Sequence, residues 1–140
     1  MISVVQTSLD KAPVCILMSS SICKDYPSHE EWIKKCRIQK RPTFLCLDEY
    51  GQIIGCSIIK ESKSKNSIKI GYIYVLSQFE NMGNGTKMVK AIIAYAEINK
   101  FDKIYTRIKQ KKYNVHNFFE KNQFVASFIT SDEIVYCKYL

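Results

Sequence analysis

The sequence predicts a mixed α/β fold, with a mostly antiparallel central sheet and helices on both faces. Three observations carry this. Runs of strand-like residues recur at Thr43–Asp48, Ile53–Lys60 and Ser67–Val75, each parted from the next by a polar turn. An amphipathic stretch of helical period, Gly85–Asn99, follows the third run and leads into a fourth at Lys103–Ile108. The order is therefore a meander, then a strand–loop–helix–strand crossover, then further elements, as in a layered sheet with covering helices. Such a crossover joins parallel neighbours with a right-handed sense, so Ser67–Val75 and Lys103–Ile108 should pair in parallel.

The elements follow in chain order. Ile2–Thr7 reads as a short strand, and Leu9–Ser21, with Pro13 inside it, fits either type. Ser28-His29-Glu30-Glu31 is a capping box, in which Ser28 accepts from the Glu31 amide and the Glu31 side chain reaches back. It opens a helix from His29 to Arg37, with Trp32, Ile33 and Cys36 at helical spacing and Pro27 and Pro42 on either side. Glu49–Gln52 is a hairpin turn between the first two long strands, and Glu61–Asn66 a second turn. In Ser67–Val75, Ile68, Ile70, Tyr72 and Tyr74 share one face, and Lys69, Gly71, Ile73 and Val75 the other. Apolar groups on both faces mark it as central. Leu76–Asn84 is a loop. The next helix carries the stripe Val89, Ile92, Ile93 and Ala96. A helix at Lys112–Lys121 and strands at Phe124–Phe128 and Glu133–Tyr139 complete the chain.

Composition bounds the function classes. A chain of 140 residues reads as a single domain, residues 1–140, and 46% hydrophobic residues exclude intrinsic disorder. No apolar run reaches the roughly 18–20 residues that span a bilayer, so no membrane partner is expected. The start, MISVVQTSLDK, lacks a basic segment followed by an apolar one, which argues against a secretory signal. The six cysteines, Cys15, Cys23, Cys36, Cys46, Cys56 and Cys137, form no C-x-x-C pair, and neither His29 nor His116 stands at ligand spacing from them. They read as reduced packing residues and no metal is expected, which suits a cytoplasmic location. The net charge of +8 suits an anionic partner such as phosphate, nucleic acid or an acidic protein, and equally a merely soluble surface. Trp32, Phe44, Tyr72, Phe79, Phe118, Phe124 and Phe128 are core candidates.

The most informative stretch is Tyr74-Val75-Leu76-Ser77-Gln78-Phe79-Glu80-Asn81-Met82-Gly83-Asn84-Gly85-Thr86. A strand ends, a loop with glycines at alternate positions follows, and a helix begins. The first helical amides lack intrahelical partners and the macrodipole favours negative charge there, so this is an anion site in outline. Gly83 and Gly85 would let a phosphate approach the backbone. An ordinary strand-to-helix turn has the same outline. No Gly-Lys-Ser/Thr follows, which disfavours a nucleotide P-loop, and G-x-G-x-x-G is absent, which disfavours a dinucleotide fold.

With Val75 ending the strand, Glu80-Asn81-Met82-Gly83-Asn84-Gly85 resembles the Gln/Arg-x-x-Gly-x-Gly/Ala motif of the GNAT superfamily, the acetyl-CoA-dependent N-acetyltransferases. Phe118-Phe119-Glu120-Lys121-Asn122-Gln123-Phe124 is similar to that family's Phe-Tyr-Glu-Lys-x-Gly-Phe. The resemblance covers roughly residues 43–140 and implies a GNAT-like acyltransferase fold. It implies acetyl-CoA as co-substrate, its pyrophosphate on Glu80, Asn81, Met82, Gly83, Asn84, Gly85 and Thr86. Its pantetheine would pair with Ile73, Tyr74 and Val75 in a splay beside Lys103–Ile108, in the manner of strand addition. The Val75 amide would serve as oxyanion donor. Glu80 departs from the usual Gln or Arg, Gln123 from Gly, and Phe119 stands where a Tyr often protonates the leaving thiolate. Phe119 would then only pack against the cofactor, and Tyr113, Tyr72, Tyr74, Tyr105 or water would supply the proton. Lys112 aligns with the motif's upstream Asn, and Lys109, Lys111 or Lys112 could meet phosphates.

For a base, Glu61 at its turn and His116 on the last helix are the candidates. His116 titrates near neutrality when unperturbed, but also reads as an exposed helix residue, and deprotonation by water needs no base. The acceptor is a primary amine on a small molecule, a protein or an aminoacyl-tRNA. Only the basic cluster Lys34, Lys35, Arg37, Lys40 and Arg41 bears on the nucleic-acid case, and the exposed face of a helix explains it as well. A CoA-binding regulator or a basic RNA-binding module on the same fold is the competing reading. Oligomeric state is left open.

Overall fold

The structure, a computed structural model, describes residues 2–8, 34–35, 37–111 and 113–140. Numbering the described elements in order gives β1 (Ser3–Ser8), β2 (Pro42–Leu47), β3 (Ile53–Ser62), β4 (Ser67–Val75), α1 (Asn84–Ile98), β5 (Lys103–Lys109), α2 (Tyr113–Lys121), β6 (Val125–Ile129) and β7 (Glu133–Tyr139). The strands form one seven-stranded sheet in the order β1-β2-β3-β4-β5-β7-β6. Pairs β1–β2, β2–β3, β5–β7 and β6–β7 are antiparallel, and β4–β5 is parallel, as the crossover required. The Leu9–Ser21 stretch, the capping box at Ser28 and most of the His29–Arg37 helix lie outside the described residues. The backbone at 34–35 and 37–38 is helical. No helix among the described residues is long and apolar enough to cross a membrane.

The chain forms two compact units, through which β3, β4 and α1 run. The first comprises Met1–Ile59 with Tyr72–Met88. Its core gathers Cys46, Ile54 and Met88, against which Ile2, Val4, Ile73, Val75 and Phe79 pack. The β2–β3 hairpin closes where Gly51 takes φ +78° and Asp48 Oδ1 accepts from the amides of Tyr50 and Gln52, both at 2.9 Å. Only a residue tolerant of the left-handed region closes so short a turn without strain.

The second unit comprises Lys60–Gly71 with Val89–Leu140. Val89, Ile92 and Ala96 of α1 are buried, as the stripe predicts, with Ile68, Ile70, Ile104, Phe119, Phe124 and Tyr136. Phe119 is fully buried, edge-on to Phe118 and Phe124 and stacked on Tyr136. Register Ser67↔Lys103 to Lys69↔Tyr105 joins β4 to β5, and Thr106 Oγ1 donates to Ile70 O at 3.0 Å.

Three expectations are corrected. Glu61 is not in a turn: β3 runs on to Ser62, the Tyr95 hydroxyl donates to Glu61 Oε1, and the turn shrinks to Lys63–Asn66, closed by Asn66 at φ +49°. The Leu76–Asn84 loop contains a 3-10 turn, Ser77–Phe79. Phe128 is 62% exposed rather than core, because β6 is the last strand of the sheet and all five of its residues stand open.

Cys46, Cys56 and Cys137 are free and buried, as packing thiols should be. Burial pushes the Cys56 thiol up to about 12 from its ordinary 9.0. Burial, then the Glu61 carboxylate, push the Tyr95 hydroxyl up to about 12 from 10.0. Both groups hold their protons longer folded than unfolded, so they stabilise the fold fully below about pH 9. That contribution is lost as pH climbs toward 12. Urea midpoints should fall over this window, and native Cys56 should resist alkylation at pH 8. A flat midpoint, or fast labelling of Cys56, would contradict the burial.

Candidate functional site

The glycine loop is built within the first unit. Val75 ends β4, and the next amide, Leu76 N, donates to Ile54 O at 2.9 Å, which ties the strand end to β3. The chain then turns through Ser77–Phe79, closed by Phe79 N on Leu76 O and Glu80 N on Ser77 O. Asn81 takes φ +60° and Gly83 φ +80°, two left-handed residues with one residue between them. α1 starts at Asn84, and the first amide bonded four residues back is Lys87 N, on Gly83 O at 3.0 Å. The amides of Asn84 and Gly85 therefore precede the helix's own ladder, where partial positive charge gathers.

Asn84 also braces the loop. Its side chain is buried and Nδ2 donates to Phe79 O at 3.1 Å, holding the 3-10 turn against the start of α1. Sequence reasoning placed Asn84 in the loop for its amide and missed this side-chain role. Nothing lies within 4 Å of the position a Cβ would take at Gly83. What selects glycine here is its φ, and the space beside it is open. Glu80, Asn81, Met82 and Gly83 are all exposed, Met82 by 65%. The Glu80 amide is spent on Ser77, so the donors this loop can offer begin at Asn81.

The end of β4 is held tightly from below. Ser57 Oγ, buried on β3, donates to Tyr72 O at 2.6 Å. A Cβ at Gly55 would lie 2.8 Å from Tyr74 O, with Met88 Cε at 3.3 Å and Val75 Cγ2 at 3.4 Å. Gly55 is thus required by close approach of two backbones, a signal invisible without the fold. Tyr72 and Tyr74 share a face as their spacing predicts, with ring centroids 6.2 Å apart. Ile73, Tyr74 and Val75 are half-buried. Open space at Gly83, left-handed backbone and a helix start fit an anionic group such as a pyrophosphate.

The remaining candidates lie in the second unit. Lys112 and the Tyr113 side chain fall outside the described residues. Phe119, with no exposed surface, is a core ring. His116 is corrected from an exposed helix position: it is 8% exposed, with Nδ1 3.0 Å from the Tyr136 hydroxyl and Nε2 at 3.0 and 3.1 Å from Lys109 O and Gln110 O. Its side of α2 faces β7, a pairing that helical spacing alone does not reveal. Glu61, the other candidate base, is engaged by Tyr95. Lys109 and Lys111 line a cavity of about 1040 Å³ together with Glu120, Asp132 and Glu133. Of the first basic cluster, Lys34, Lys35, Arg37 and Lys40 are exposed, and Arg41 Nε donates to Gln39 Oε1 at 2.7 Å.

Comparison with protein families matches residues 12–124 to the acetyltransferase (GNAT) family. Solved structures of the same fold include an IAA acetyltransferase from Bacillus cereus, 15% identical with TM-score 0.79 and all of both chains covered. PaiA N-acetyltransferase from Thermoplasma acidophilum, in complex with coenzyme A, is 13% identical with TM-score 0.79, covering 100% of this chain and 99% of that one. A GNAT family acetyltransferase from Elizabethkingia anophelis with acetyl-CoA bound is 18% identical with TM-score 0.78, covering 99% and 98%. No curated protein matches the chain by sequence.

Proposed function

This chain belongs to the acetyltransferase (GNAT) family, and from that premise we propose that it transfers an acetyl group from acetyl-CoA to a primary amine. The observation that carries the reading is the loop directly after β4, where left-handed Asn81 and Gly83 open onto the start of α1. Acetyl-CoA brings an activated thioester. The chain's own groups do the rest. Amides from Asn81 to Thr86 and the α1 dipole hold the pyrophosphate. Main-chain groups of Ile73, Tyr74 and Val75 align the pantetheine as an added strand would. The Val75 amide faces the thioester carbonyl and stabilises the oxyanion formed as the amine attacks.

Phe119 carries no proton, so the departing thiolate takes one from water or from a tyrosine hydroxyl. A thiolate leaves readily, and a general acid adds only about 10²–10⁴ in rate. The free, buried thiols of Cys46, Cys56 and Cys137 support a cytoplasmic location.

Calorimetric titration with acetyl-CoA, followed by thiol release over a panel of primary amines and aminoacyl-tRNA, tests the function. Saturable binding with thiol release by one acceptor class is expected. Binding without release over the panel would favour a CoA-binding regulator, which the buried Phe119 would suit. No binding would overturn both readings.

A further inference from the structure

β6 lies last in the sheet, with β7 on one side only. Its sequence, Val125-Ala126-Ser127-Phe128-Ile129, holds no charge, in a chain whose net charge is +8. All five residues are exposed, Val125 by 68%, Phe128 by 62% and Ile129 by 65%. An edge strand turns half of its backbone donors and acceptors away from the sheet, and natural edges guard those groups with charges, proline or a bulge. β6 has neither charge nor proline. Its one guard is a bulge: register with β7 shifts between Ala126 and Phe128, which puts Ser127 out of step. Ser127 Oγ turns back to donate to Val135 O at 3.2 Å and sits 3.1 Å from Cys137 Sγ.

The bulge falls at the middle of the strand. On either side of it, Val125-Ala126 and Phe128-Ile129 keep their pairing with β7. A two-fold axis through Ser127 lays a second β6 antiparallel to the first, with Val125 and Ala126 of one copy beside Ile129 and Phe128 of the other. Both bulges then meet at the axis, where neither interrupts a run of paired residues. Such a self-complementary contact satisfies the outer backbone groups of both copies and takes three large apolar side chains of each out of water.

The charges at the two ends of β6 suit this orientation. Lys121 precedes the strand and is exposed. Lys138 stands at the same end, its Nζ donating to Gln123 Oε1 at 3.4 Å. Asp132 and Glu133 follow the other end, where the chain turns into β7. Groups of opposite sign at each end are set back from the edge. Glu120 Oε1 accepts from the Tyr136 hydroxyl at 3.4 Å. Arg107, 4.0 Å from Glu133, and Lys109 both belong to β5, one strand beyond β7. Antiparallel pairing therefore sets the basic end of each copy against the acidic end of the other, whereas a parallel alignment would oppose like charges.

We propose that β6 is a dimer edge, pairing antiparallel with β6 of a second copy of this chain to continue the sheet across both. The proposal is independent of acetyl transfer. Five residues at about 3.4 Å each give an edge about 17 Å long. That is short of a standard interface, so the dimer is weak and forms as concentration rises.

Sedimentation equilibrium of the full chain, from micromolar to near-millimolar, tests this. The mass should rise from 16.3 kDa toward twice that value. Phe128→Lys, at a position the core does not use, should stay at the monomer mass with a urea midpoint near that of wild type. Tyr50→Lys adds the same charge at an exposed side chain in the β2–β3 turn and should associate as wild type does. Amide hydrogen exchange at Val125–Ile129 should slow with rising concentration in wild type and not in Phe128→Lys. A wild type that stays monomeric throughout would overturn the proposal and leave the edge to a different protein. Equal protection of β6 at every dilution would mean that a segment of the same chain covers it, and would overturn the proposal as well. A dimer that persists in Phe128→Lys would place the interface elsewhere.

Discussion

Replacing Gly83 with valine should weaken acetyl-CoA binding at least ten-fold while leaving the cores of both units intact. Gly83 sits at φ +80° with open space where a Cβ would go, so the substitution fails through backbone conformation and not through a clash. A β-branched residue resists the left-handed region by about 1–2 kcal/mol. The loop relieves that by turning residue 83 to negative φ, which swings the amides at Asn84 and Gly85 off the ligand. A ten-fold loss corresponds to about 1.4 kcal/mol. Gly83→Asn is the control, since Asn enters the left-handed region readily. It should retain most of the affinity. Equal affinities for wild type and Gly83→Val, measured by calorimetry, would remove the loop from the binding site.

Gly55→Val should be more damaging to the fold, and should weaken acetyl-CoA binding for a different reason. The new Cβ would stand 2.8 Å from Tyr74 O, a backbone atom that cannot swing aside as a long side chain does. Overpacking of this kind costs about 1–3 kcal/mol. The relief available is to push the end of β4 away from β3, which loosens the Leu76 N to Ile54 O bond and displaces the main chain at Ile73–Val75. Urea unfolding should show the loss, and acetyl-CoA titration a weaker affinity in the protein that remains folded. Gly51→Ala gives the contrast. Gly51 is also left-handed, with nothing within 4 Å of its Cβ position, in a hairpin turn that takes no part in the proposed site. It should lose stability and keep its affinity. Gly55→Val with undiminished stability would mean the two strands are further apart than described.

Most strand and helix positions were legible because their signals are local. Period-two alternation marked Ser67–Val75 as a strand, and β4 has those bounds. The apolar stripe found α1, and the order of elements gave the parallel β4–β5 pair. The glycine loop was legible for the same reason, since φ preference and a helix start are written in neighbouring residues. What stayed hidden depends on contacts far apart in the chain. Glu61 became a strand residue held by Tyr95, thirty-four positions on. His116 is buried because β7 brings Tyr136 beneath it. Gly55 is needed because Tyr74 crosses over it. Phe128, read as core, stands open because sheet order puts β6 last. Amphipathic spacing identifies a face and does not say what covers it.

The proposed acetyl-CoA site joins the loop from Asn81 to Thr86 with the end of β4. Amide NMR of the isotope-labelled chain titrated with acetyl-CoA tests it most directly. Saturable shifts concentrated at Ile73–Val75 and Asn81–Thr86, and absent from the Gly51 hairpin, are expected. Saturation with those amides unmoved, or no saturation at all, would contradict it.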